Sequence, residues 1–246
     1  MTTPHTSHLQ PPSPPPARPS LPAWPLPLMA GLLPMVATLL ALVLSMRLEL
    51  IPVCNPFVDG CVSISRAARY EMPNHLFRAL VLPAAALQTL TWILVATWLR
   101  GLGENGRGLR ALLPLGLLAG AALAMYGSFL GTDGTVYRLL RQYGTVVYFG
   151  FTCINMLLAG GAIARAVSAE RLAVPPGLHH ALVAMGGALV LLGLGNALLS
   201  EALHDPAKDI MQNVTEWWGG AIFVAVFFAL SAIWRRCALR LQLASC

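Results

Sequence analysis

The chain alternates long apolar runs with short polar breaks. Six runs stand out: Leu28–Met46, Leu76–Leu99, Ala111–Leu130, Thr145–Val167, Ala181–Leu203 and Trp217–Trp234. Each is close to the ~20 residues a helix needs to cross ~30 Å of hydrocarbon. None shows the apolar–polar alternation of a barrel strand. A helix also satisfies its own backbone where no water is available. The pattern therefore predicts an all-α integral membrane bundle of six helices spanning 28–236. The segment before it, residues 1–27, contains HLQPPSPPPARPSLPAWPLP. Proline fixes φ and removes backbone donors, so this segment is expected to be a disordered cytoplasmic tail. Its PxxP spacing is the kind that an SH3-like protein partner reads. Residues 237–246 are expected to form a second short tail on the same side.

Composition agrees with the pattern. The 246 residues are 57% hydrophobic and 11% charged, against about 25% charged in a soluble domain. The formal net charge of +6 does not point to nucleic acid. The basic residues are scattered at the ends of apolar runs, where they anchor helices, and form no clustered face. Alanine, leucine and glycine are abundant and arginine far exceeds lysine, which points to a GC-rich bacterial source and an inner membrane.

Orientation is read from Lys and Arg beside the spans. With both termini inside, nine lie on the inner side (Arg18, Arg100, Arg107, Arg110, Arg165, Arg171, Arg235, Arg236, Arg240) and seven outside (Arg47, Arg66, Arg69, Arg78, Arg138, Arg141, Lys208). The cysteines decide this narrow count. Cys54 and Cys61 flank CNPFVDGC, where Pro56 and Asp59-Gly60 favour a turn that brings the sulfurs together. A disulfide needs an oxidising compartment, so this first loop is placed outside. Cys153 reads as a small core residue, and Cys237 and Cys246 as reduced thiols on the inner side.

The candidate chemistry is sparse, and the spans carry no charged side chain at their centres. Gln88 and Thr91 lie in the second run; Tyr148, Thr152 and Asn155 share a face of the fourth; Asn196, Ser200 and His204 recur at four-residue spacing in the fifth. These read either as interhelical hydrogen bonds or as a polar cleft opening outward that holds a lipid head group. Arg66 and Arg69 would share a face if SRAARY is helical, with Ser65 as N-cap. With Arg78 they could grip a phosphate. His75 and His204 are the outer-side histidines available to a lipid-modifying enzyme, with Ser63 or Ser65 as nucleophile, but no nucleophile-elbow motif accompanies them. The remaining histidines lie elsewhere, so no metal site, catalytic set or cofactor is expected. Trp217, Trp218 and Trp234 are placed as an aromatic belt. Glycines crowd the third and fifth runs, predicting that these two helices are central. Asn213-Val-Thr215 matches a glycosylation acceptor close to the membrane.

At CVSISRAARYEMPNHLFRALVLP (61–83) the chain resembles the six-span family that includes the damage-regulated autophagy modulator (DRAM), the FGF-receptor-activating protein and the post-GPI-attachment lipid-remodelling factor. The resemblance rests on the loop cysteine, Ile64-Ser65, and Pro73 followed by Phe77 and Arg78. It covers about a tenth of the chain; the rest matches only in six-span topology. Family members often carry a histidine where this chain reads QYGTVVYFGF, and this chain has none there. The resemblance implies a membrane protein linked to lipid handling or membrane-associated regulation. The expectation is a non-catalytic protein that binds or organises membrane lipid, with Arg66, Arg69, His75, Arg78, Asn155, Asn196 and His204 near a head group. A lipid-modifying enzyme and a small-molecule transporter are the alternatives.

Overall fold

The computed structural model describes residues 20–242. The chain forms six helices long and apolar enough to cross a membrane: α1 (Pro25–Arg47), α3 (Glu71–Gly101), α4 (Arg107–Phe129), α5 (Thr135–Ser168), α6 (Pro176–Ala202) and α7 (Ala207–Arg236), with a single-turn α2 (Ile64–Ala67) in the first loop. Each span packs against the next, and α7 closes back on α1. The result is a ring of spans around a core of residues such as Trp92, Leu99, Leu112, Ile163, Phe227 and Leu230.

Close approach in the ring depends on small residues. A side chain at Gly120 of α4 would collide with Thr89 of α3, and one at Gly31 of α1 would sit 3.0–3.2 Å from Phe227 and Phe228 of α7. Proline adds a second device. Pro34 has no N–H, so the Ala30 carbonyl four residues earlier loses its helical partner. Gln88 of α3 supplies the missing donor through Nε2 at 3.1 Å. Tyr148 of α5 then donates to Gln88 Oε1 at 3.0 Å. Three spans are thus joined by a hydrogen-bond chain that begins with one missing backbone proton.

Several expectations are revised. Ser20–Pro22 forms a strand, β1, antiparallel to β2 (Arg240–Gln242). The backbone N–H of Ala23 donates to Leu239 O, and Arg240 Nε donates to Ser20 Oγ at 2.8 Å. Residues 20–23 and 239–242 are therefore paired with each other and 25–27 belong to α1, where plain tails were expected; 1–19 and 243–246, Cys246 among them, lie outside the described residues. The helices α5 and α7 begin about ten residues before their apolar runs. Segments such as TVYRLLRQYG contain good helix formers, so the helix continues past the hydrocarbon. The fifth span, α6, is the least buried of the six, with 17% of its most apolar window inside, and added side chains at Gly187, Gly193 and Gly195 would meet nothing. Gly186 is the exception, where an added side chain would sit 2.8 Å from Leu157 of α5. Of the expected tryptophan belt only Trp218 is exposed; Trp217 and Trp234 are 2% and 0% exposed.

Candidate functional site

Between α1 and α3 the chain folds into a cap over one end of the ring. Cys54 and Cys61 are joined by a disulfide, and inside the bridged loop Asp59 accepts from the Asn55 N–H at 2.8 Å. The helix α2 is capped by Ser63, whose Oγ accepts from Arg66 N at 3.1 Å; the expected cap, Ser65, lies inside the helix. The helix ends at Ala67, so Arg69 does not share a helical face with Arg66.

One face of α7 clasps this cap. Asn213 Nδ2 donates to Gly60 O at 2.7 Å, Trp217 Nε1 to Val62 O at 2.8 Å, and Trp218 Nε1 to Phe57 O at 3.1 Å. Glu216 accepts from the Ser65 N–H at 3.4 Å. These contacts follow from the i, i+3, i+4 spacing of Asn213, Glu216 and Trp217, which puts the three on one face. Phe57 packs on both indoles, with ring centroids 5.3 and 5.4 Å away. From α1, Ser45 Oγ donates to Ala67 O at 2.6 Å. On the far side, Asn74 Nδ2 bridges Ala68 O and Leu130 O. The cap is thereby tied to α1, α7 and the α4–α5 loop.

Beneath the cap lies a cavity of about 370 Å³, within the range of small-molecule sites. Phe57 and Ile64 of the cap contribute to its wall, as do Gln88, Tyr126, Tyr148 and Phe223 from the spans. The wall also includes Leu39 of α1 and Ala221 of α7, both exposed. The cavity is therefore open between α1 and α7. Among the described residues, Glu216 is the acidic residue of the wall, and no arginine, lysine or histidine lines it. Along α7, Glu216, Gly220, Phe223 and Phe227 all line it, at the spacing of one helical face.

None of the seven residues expected near a head group lines this cavity. Arg66, His75 and His204 are exposed, and Arg69 and Arg78 half-buried. Arg69 Nε is buried without a partner. Arg141 is engaged in its own contacts, donating to Phe129 O and Thr132 O. Asn155 is buried and donates to Leu112 O at 3.3 Å. Asn196 is half-buried on α6. Gln88, Tyr148 and Asn155 thus make interhelical hydrogen bonds; Gln88 and Tyr148 also face the cavity. Glu216 and Phe57 went unnoticed in the sequence. The usable signal was a carboxylate directly before the Trp217-Trp218 pair.

At the opposite end, Glu104 is buried between Arg165 and Arg171. Burial alone would raise its pKa, but the hydrogen bonds and charges of the two arginines outweigh it and hold the carboxyl below the usual range. Compared with protein-family models, curated proteins and solved structures, the chain matches none of them.

Proposed function

We propose that this chain is a non-catalytic integral membrane protein that binds a lipid or similar amphiphile, with the apolar chain in the cavity between α1 and α7 and the head group under the disulfide-bridged cap. The cavity carries the reading: it is largely apolar, open between α1 and α7, and its polar lining is Glu216, Gln88, Tyr126, Tyr148, Thr38 and Thr145. An amphiphile can enter such a space from the bilayer without passing through water. The resemblance of residues 61–83 to a family that includes a lipid-remodelling factor supports the same direction. We place the cap in an oxidising compartment, the periplasm of a bacterial inner membrane, and both termini in the cytoplasm, because the Cys54–Cys61 bridge is stable only where thiols are oxidised.

The test is mass spectrometry of lipids retained through purification in maltoside micelles. The wild-type chain should retain a lipid in near-stoichiometric amount. Ala221→Phe, which narrows the crevice between α1 and α7, should lower that amount several-fold without loss of the fold. Equal retention by the variant and the wild type would exclude the cavity as the site.

A further inference from the structure

Glu216 has a carboxyl in the wall of a largely apolar cavity, half-buried and accepting from the Ser65 backbone N–H. Among the described residues the ion pairs are Glu104–Arg165 and Glu104–Arg171, at the other end of the bundle. Among the described residues no cation forms an ion pair with Glu216. A carboxylate bounded by apolar side chains is costly unless something compensates its charge.

The rest of the wall suits a particular compensating group. Phe57, Tyr126, Tyr148, Trp217, Phe223 and Phe227 all line the cavity. Tyr148 and Phe223 stack with ring centroids 5.9 Å apart, and Phe149 meets Phe223 edge-on at 4.7 Å. Aromatic faces attract ammonium groups through their quadrupole, and quaternary ammonium is recognised by such walls. A phosphate or carboxylate head would instead face Glu216 as a like charge with no lining cation to offset it.

We infer that the cavity selects amphiphiles whose head carries an ammonium group, with Glu216 as its counter-charge and the aromatic faces at the cap end, Phe57 and Trp217, beside it. This rests on the amphiphile-binding reading above and names the head-group chemistry. Two sources share that chemistry: a cationic amphiphile and a zwitterionic lipid. In the second, the phosphate would have to lie away from Glu216, outside the wall.

The full chain in maltoside micelles, which contain no amine, is titrated with octyltrimethylammonium, octylphosphocholine and octyl sulfate, following tryptophan fluorescence and thermal stability. Both ammonium probes should bind about tenfold tighter than the sulfate. Glu216→Gln keeps an acceptor for Ser65 and should erase that preference while all three chains still bind. Phe57→Leu, a second variant should the first misfold, removes an aromatic face at the Glu216 end of the cavity and should weaken the two ammonium probes several-fold and leave the sulfate unchanged. With the preference present, a tighter phosphocholine identifies the zwitterionic source and a tighter trimethylammonium the cationic one. A sulfate that binds as well as the ammonium probes, or a preference that survives Glu216→Gln, overturns the inference and leaves the cavity reading standing. If no probe binds, both fall.

Discussion

Glu104 and Gln88 show what single polar residues do in a bundle with few of them. Gln88 supplies a donor to the Ala30 carbonyl that Pro34 leaves open, so it is matched to a proline 54 positions away. Glu104 joins the α3–α4 turn to Arg165 and to Arg171 just after α5. Its carboxyl is held below the usual range in the folded chain. A lowered carboxyl stabilises the fold at pH above the unfolded value, about 4.3, and that contribution is lost as pH falls through the folded value. The arginines are partly exposed, so screening limits the size of the effect. Glu104→Gln should lower the melting temperature by a few degrees at pH 7, and the gap to wild type should close on acidification through pH ~4 and below. A gap of constant size from pH 7 to pH 3 would contradict this assignment.

At the scale of elements, glycines at similar density act in opposite ways. Gly120 sits where α4 touches α3 and has no room for a methyl group, whereas nothing surrounds Gly187 on α6. Gly120→Ala should cost about 1–3 kcal/mol through overpacking, read as a fall in thermal stability, and Gly187→Ala should change it little. Equal effects from the two would show that α6 packs more tightly than described. This contrast also marks how far elements were legible beforehand. Six apolar runs located six spans, because hydrocarbon thickness imposes a length that sequence displays. Runs do not display helix ends outside the hydrocarbon, so the first turns of α5 and α7 went unseen. Nor does glycine content reveal whether a partner helix is present, and for that reason α6 was misplaced at the centre.

For the whole molecule, the bridged loop and its two cysteines were readable from CNPFVDGC alone, since a turn of that length brings its ends together. The cavity was not readable. Its wall draws on five helices and the loop, each offering ordinary apolar residues, and only their assembly makes a space. Glu216 was hidden in the same way, as one acid beside a tryptophan pair. The proposed orientation is tested in intact cells: after reduction, a membrane-impermeant thiol reagent should label Cys54 and Cys61 from outside. Labelling only after the inner side is exposed would invert the orientation.

The pairing of Ser20–Pro22 with Arg240–Gln242 acts on the same two helices that frame the crevice. That ribbon, with the Ser231 hydroxyl on the Trp24 carbonyl at 2.8 Å, fastens α1 and α7 at the end away from the cap. The two helices therefore cannot part along their whole length while the ribbon holds. Any widening that admits a guest must swing like a clothes-peg, pivoting on the joined strands and spreading at the jaws beneath the bridged loop.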